Sequence, residues 1–232
     1  MLIFSRFMSK IMRIFAFYFF FYMENIKNII FDFGGVVYNV RYENMFESMR
    51  QYGVQGLESF YTKSFQTHEM DLFETGLMSA HDFRNYLRKA THLDINDEQV
   101  DGILNSMLLG LPKERVDLLL DLRQKYRLVL FSNTNEVHCK YFTEEMIREY
   151  GYNVIDECFE AVYYSHTMHQ RKPFVEGFLQ IIREQHLVPE ETLFIDDNEY
   201  NVAGACKAGL VGRHLDKGTI LDLFDDGLNY KG

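Results

Sequence analysis

The chain has little cysteine: Cys139, Cys158 and Cys206 are odd in number, and no two stand in C-x-x-C spacing. Neither a disulfide framework nor a thiolate zinc site is indicated, and a reducing cytoplasm fits best. Basic charge is also short, with 24 Lys and Arg against 34 Asp and Glu and a net charge of −10. That balance argues against a nucleic-acid partner, because phosphate backbones are held by clustered cations. A small phosphorylated substrate stays open, since it needs only a local cation and a metal ion.

A membrane span is missing as well. It takes about 20 apolar residues, whereas residues 14–23 supply ten behind Arg6, Lys10 and Arg13. This beginning has the outline of a signal peptide but ends in bulky aromatics instead of a small-x-small cleavage site, and a strand follows almost at once. Translation is expected to start at Met23, which makes residues 1–23 an extension; a membrane-targeting segment is the alternative. No internal repeat or low-complexity linker occurs.

What the chain does contain is an alternation of apolar strands and helical patterns. Strands are expected at 27–32, 127–132, 159–164, 192–196 and 210–214. Helices are expected at 113–126 behind Pro112, at 173–185 and at 200–208, the last with Gly209 as a left-handed cap. This is the pattern of βαβ units around a parallel sheet, an α/β doubly wound, Rossmann-like fold with helices on both faces. About 100 residues separate Asp32 from Ser132, far more than one crossover helix requires. Residues 40–111 are therefore expected to fold as a unit of their own, leaving 24–39 and 112–232 as the core. Phe46, Met49, Leu57, Leu72, Phe73, Phe83, Tyr86 and Leu87 follow a helical period there, and Ser79 with Asp82 reads as a capping box.

Polar residues gather at strand ends. Ile29, Ile30 and Phe31 run into Asp32, Phe33, Gly34 and Gly35; residues 127–131 run into Ser132, Asn133, Thr134 and Asn135; Thr192, Leu193, Phe194 and Ile195 run into Asp196, Asp197 and Asn198. Arg171, Lys172 and Pro173 place a cation before a helix. A carboxylate at the carboxyl end of a buried parallel strand is how such a sheet presents a nucleophile or a metal ligand.

In order, a nucleophilic Asp, a Ser, a Lys and an acidic pair resemble the haloacid dehalogenase-like superfamily, mostly phosphatases that work through an aspartyl-phosphate. The resemblance spans about residues 26–215. It implies that Asp32 attacks phosphorus, that Ser132 and Asn133 donate to phosphoryl oxygens, and that Lys172, with Arg171 as a further candidate, holds the anions together. It also implies Mg²⁺ on Asp32, the Gly34 carbonyl, Asp197 and Asp196, with Asp197 as the direct ligand, and a small helical cap inserted after the first strand to select the substrate. His166 and His169 are three apart but lack further ligands for a metal, and many relatives have Gly where His169 stands.

The sequence departs from the pattern at Gly34, where most phosphatases of the family carry a second Asp as general acid. Such help is typically worth roughly 10² to 10⁴ in rate, so an easily leaving group, a water, a cap residue or the substrate itself must answer for it. One branch, the bacterial α-D-glucose-1-phosphate phosphatases, has similar motifs throughout, and the cap segment from Phe73 to Ser79 looks like that branch. A hydrolase acting on a hexose 1-phosphate or a similar sugar phosphate is the leading expectation. The alternatives are a catalytically weak binding protein and a nucleotide or flavin mononucleotide phosphatase, with Tyr38, Tyr42 or Phe46 as a stacking surface or as cap core. A dehalogenase is disfavoured by the Asp196–Asp197 pair.

Overall fold

The computed structural model describes residues 26–54 and 67–232. The extension 1–23 and Leu57 lie outside the described residues. Among the described residues the strands β1 (Asn28–Phe31), β2 (Arg127–Ser132), β3 (Ala161–Tyr164), β4 (Thr192–Asp196) and β5 (Val211–His214) form one parallel sheet in the order β3-β2-β1-β4-β5.

The strands are apolar because both faces of the sheet are covered. Ile29, Phe31, Leu128, Leu130, Leu193 and Ile195 enter one core, while the alternating Ile30, Val129, Phe131 and Phe194 enter the other. Period-two alternation thus sorts the side chains onto two faces, each apolar. Register does the positioning: Phe31 pairs with Leu130 and with Ile195, so Asp32 and Asp196 leave the sheet side by side with Ser132 one step beyond.

The helices are α1 (Tyr42–Gln51), α2 (His68–Glu74), α3 (Ala80–Thr91), α4 (Asp97–Asn105), α5 (Lys113–Leu122), α6 (Glu136–Tyr150), α7 (Val154–Cys158), α8 (Ser165–Met168), α9 (Val175–Glu184) and α10 (Glu199–Lys207). Three expected helices are shifted or shortened. The helix expected at 113–126 ends at Leu122, as residues 123–126 turn into β2, and that expected at 173–185 starts at Val175, after a turn closed by Phe174 N donating to Arg171 O (3.1 Å). The third spans Glu199–Lys207, and Gly209 beyond it is left-handed at φ +92°. Helix α6 was not anticipated, although Asn135 caps its start through Val137 N and His138 N, and Gly151 ends it at φ +83°.

Helices α1 to α4 build a third core around Met45, Met49, Phe73, Phe83, Ile103 and Leu104, to which α6 contributes Val137. Phe73 and Phe83 stack at 4.2 Å. Each buried ring of this kind contributes about 1.5–3 kcal/mol. The unit is joined to the sheet by a two-stranded stem: Asn39 N donates to Gly110 O (2.9 Å), Leu109 N to Asn39 O (2.9 Å) and Arg41 N to Met107 O (2.8 Å). The expected capping box is half formed: Ser79 Oγ accepts from Asp82 N but donates to Asp82 Oδ2, so the acid does not reach back to the Ser79 backbone. The full box is found instead at Asn96 and Gln99. No helix among the described residues is long and apolar enough to cross a membrane.

Candidate active site

The carboxyl ends of β1, β2 and β4 meet the turn that carries Lys172. Lys172 is 1% exposed, and its Nζ donates to Asp32 Oδ1 (2.6 Å) and Asp196 Oδ2 (2.7 Å). The same ammonium lies 5.5 Å from the ring centres of Phe131 and Phe194. Burial works against its charge, but the Asp196 and Asp32 carboxylates outweigh that and hold its pKa above the ordinary lysine value.

Asp32 is affected in the opposite sense. Burial foremost, then the Asp196 carboxylate, pushes its carboxyl up to about 8, against the pull of Lys172. The cause is a shortage of positive charge: oxygens of Asp32, Asp196 and Asp197 gather within 4.8 Å of one another, around one lysine. Three carboxylates and one ammonium suit a hard divalent cation, which takes oxygen ligands and keeps several waters. The donor set therefore fits Mg²⁺.

The two acids of the pair differ in their surroundings. Asp196 is fully buried, and its oxygens accept from Lys172, Asn198 N (2.8 Å) and Asn201 Nδ2 (3.1 Å to each oxygen). Asp197 is half-buried and lies against Gly35, where a Cβ would sit 2.2 Å from its Oδ2. Gly35 also has φ +83°, a conformation that only glycine adopts at little cost. The loop after β1 thus needs glycine twice over, for its shape and for the carboxylate it admits.

Asn133 and Arg171 are engaged differently from what the sequence suggests. The Asn133 amide donates from Nδ2 to Lys172 O (3.0 Å), while its Oδ1 accepts from Lys172 N (2.9 Å). It clasps the lysine turn. Arg171 pairs with Asp71 and, at 3.4 Å, with Glu74, both on α2. It binds the helical insertion rather than supplying a cation beside Lys172. Ser132 is buried at the end of β2, and Thr134 N donates to Ser165 Oγ (2.9 Å), which donates back to Thr134 O (3.0 Å).

A cavity above this floor is lined by Gly34, Ser132 and Asn133 from below and by Tyr42, Glu74 and His138 from the walls. At Gly34 a Cβ would meet only Val40 Cγ2, at 3.2 Å. Tyr38 is no stacking surface, because it is fully buried against Phe33 and Phe142 and donates its hydroxyl to Glu145. Phe46 packs on the insertion core. His169 keeps a left-handed backbone at φ +55° with its Nδ1 2.7 Å from Thr75 O, and the His166 ring stacks on Tyr164.

Asn201, Glu74 and His138 escaped the reading of the sequence. Asn201 had a signal, since a helix starting at Asn198 brings the residue five beyond Asp196 back over it. Glu74 lies in the Phe73–Ser79 segment that the sequence marks as cap, but that segment does not say which residue faces the site; His138 had no signal, because only the tertiary fold brings α6 over Ser132.

Comparison with known proteins agrees with this geometry. Residues 26–209 match the family model for haloacid dehalogenase-like hydrolases. The chain belongs to that family and is a hydrolase. It is similar to D-ribitol-5-phosphate phosphatase of Bacteroides thetaiotaomicron, at 29% identity over 76% of this chain and 85% of the relative. Its fold is similar to that of a HAD family enzyme from the same organism, crystallised as an Asp-to-Ala mutant with magnesium and inorganic phosphate. The TM-score is 0.77 and the identity 32%, covering 81% of this chain and 93% of that one. A predicted HAD-like hydrolase of Porphyromonas gingivalis matches at TM-score 0.75 and 32% identity over 82% and 91%.

Proposed function

We propose that this hydrolase is a Mg²⁺-dependent phosphatase of a small phosphorylated metabolite, a sugar or polyol phosphate such as a hexose 1-phosphate, working through an aspartyl-phosphate on Asp32. The observation that carries it is the convergence of Asp32, Asp196 and Asp197 around the buried ammonium of Lys172. A dehalogenation site has no use for the extra carboxylates. The likeness to a ribitol-5-phosphate phosphatase and to a magnesium and phosphate complex supports the same reading. Free Cys139, Cys158 and Cys206 suit a reducing cytoplasm.

In this proposal Asp32 Oδ1 takes the hydrogen bonds from Lys172 and Phe33 N, which leaves Oδ2 to attack phosphorus in line with the ester oxygen. The P–O bond to the leaving group breaks, and the departing oxygen takes its proton from water, Gly34 having none to give. A water then attacks the aspartyl-phosphate, releasing inorganic phosphate and restoring Asp32. Ser132 donates to the phosphoryl oxygens, and Lys172 holds nucleophile and phosphoryl group together. Asn133, clasping the lysine turn, positions Lys172. Asp32, the Gly34 carbonyl, Asp197 and Asp196 would hold Mg²⁺, Asp197 directly, and the ion would supply charge neutralisation for the transferring group. Residues 24–39 and 112–232 form the catalytic core, and 40–111 the cap that selects the substrate.

The test is phosphate release from sugar phosphates, polyol phosphates, nucleotides and flavin mononucleotide, with and without Mg²⁺, beside Asp32→Asn. Metal-dependent release that vanishes in the variant is expected. Absence of release from every substrate by folded protein would move the assignment to a binding protein.

A further inference from the structure

We infer that Arg171 is a positioning residue for this site: by pairing with Asp71 and Glu74 it ties the turn that carries Lys172 to helix α2, so that the ammonium is held at the phosphoryl site only while the insertion is docked on the core. The inference rests on the phosphatase reading and adds to it a residue that does not line the cavity.

Helix α2 meets the core along a seam that shares no residue with the stem at 39–41 and 107–110. Arg171 pairs with Asp71 and, at 3.4 Å, with Glu74. His169 Nδ1 lies 2.7 Å from Thr75 O, and because a carbonyl only accepts, the ring donates. At Gly76 a Cβ would lie 2.0 Å from His166 O, and the residue has φ +67°. A side chain there would lift the end of α2 off residues 166–169, so glycine serves the docking itself.

The core side of the seam is the support of the catalytic floor. Ser165, fully buried at the start of α8, accepts on Oγ from Thr134 N and donates to Thr134 O, two residues after Ser132. Residues 166–171, on which α2 docks, run on into Lys172, whose main chain Asn133 clasps at N and O. The lysine turn is thus gripped from two sides, by Asn133 from the core and through Arg171 from the insertion. Rotation of the turn about the clasp would swing Nζ away from Asp32 and Asp196, and the ion pairs of Arg171 oppose that rotation.

Helix α2 also walls the cavity: Glu74 lines it with Gly34 and Ser132, whereas neither Arg171 nor Asp71 is among the described residues that do. The helix beside the substrate is therefore the one that holds the lysine turn, and an insertion lifted from the core releases that turn. A misplacement of about 1 Å can cost roughly 10²-fold in rate. Changing Arg171 or Asp71 removes no group that lines the cavity, so a loss of turnover in either variant travels through the turn.

The experiment measures kcat and KM for α-D-glucose 1-phosphate and p-nitrophenyl phosphate, and the inhibition constant of orthovanadate, at saturating Mg²⁺. Wild type is compared with Arg171→Gln, Arg171→Lys, Asp71→Asn and the double variant Arg171→Gln with Asp71→Asn. Orthovanadate imitates the phosphoryl group and has no leaving group to touch the insertion, so it reports on the floor alone. In Arg171→Gln kcat should fall roughly 10- to 100-fold on both esters, and inhibition by orthovanadate should weaken in parallel. Arg171→Lys keeps the charge and should recover part of the loss. Asp71→Asn leaves the pair with Glu74 and should lower kcat about 2- to 5-fold, as suits an acid that is 48% exposed. The double variant should be no slower than Arg171→Gln, because both changes break one link. If Arg171→Gln misfolds, Asp71→Asn and Arg171→Lys carry the test. Folded variants with the kcat and orthovanadate inhibition of the wild type, or losses that multiply in the double variant, overturn the inference and leave the phosphatase reading standing. Wild-type protein that hydrolyses neither ester overturns both.

Discussion

Asn133 holds Lys172 by its backbone at two points, giving a hydrogen from Nδ2 to Lys172 O and taking one on Oδ1 from Lys172 N. The two residues are 39 apart in sequence and come from the ends of β2 and of the turn before α9. The clasp explains how a single long side chain reaches two carboxylates at 2.6 and 2.7 Å without wandering. A lysine loses up to about 2 kcal/mol of rotamer entropy when it is fixed in this way. Anchoring its main chain removes one source of play.

Asn133→Ala should therefore behave as a positioning defect. Two hydrogen bonds are lost, each worth about 1 kcal/mol, and Lys172 gains freedom at the moment it must meet the phosphoryl group. We expect kcat to fall roughly 10- to 100-fold with a smaller change in KM, and the melting temperature to drop by several degrees. Asn133→Asp keeps the acceptor for Lys172 N and should recover part of the loss. Unchanged kcat in the alanine variant would show that the clasp is dispensable.

Lys172 itself neutralises two buried acids. Lys172→Met leaves Asp32 and Asp196 facing each other with no ammonium, a change of the kind that typically costs about 3–5 kcal/mol. Added Mg²⁺ supplies the missing charge, so the gap in melting temperature between variant and wild type should narrow with metal while turnover stays lost. Thermal melts with and without Mg²⁺ decide it, and a metal-free variant as stable as the wild type would contradict the account.

The sheet and its chemistry were legible in the sequence for one reason: in a parallel sheet the strands are buried on both faces, so they stand out as apolar runs and their polar residues are forced to the ends. Asp32, Ser132 and Asp196 could be found that way. Helix α6 does not stand out in the sequence because Ser132 to Asn135 before it carry site chemistry, and Asn135 is at once part of that run and the cap that starts the helix. The role of Arg171 was hidden for a different reason. Its partners Asp71 and Glu74 lie about 100 residues away, and nothing local distinguishes an arginine that holds an insertion from one that holds a phosphate.

Gly35→Ala tests the loop after β1. The added methyl would sit 2.2 Å from Asp197 Oδ2 in a backbone with φ +83°. The carboxylate must move or the loop must re-form. Activation by Mg²⁺ should then need a concentration about 10-fold higher or more, as expected when a ligand's setting is disturbed. Calorimetric titration of metal into both proteins measures this directly, and equal affinities would remove Asp197 from the metal site.

His138 predicts how stability responds to acid. Burial lowers its pKa to about 4, outweighing the pull of the Leu104 carbonyl and of Asp101. The unfolded chain has an ordinary histidine near 6.5, so between those values the unfolded state binds more protons than the folded one. Stability rises with pH wherever that holds. The native state should therefore lose stability as pH falls from about 6.5 toward 4, by up to about 3 kcal/mol from this residue alone. Other groups titrate in the same window, so the informative quantity is the difference between wild type and His138→Gln, which carries no titrating ring. Denaturant unfolding at pH 7.5 and pH 5 should show the wild type losing more stability than the variant over that interval. Parallel losses in the two proteins would mean that water reaches the His138 ring in the folded state.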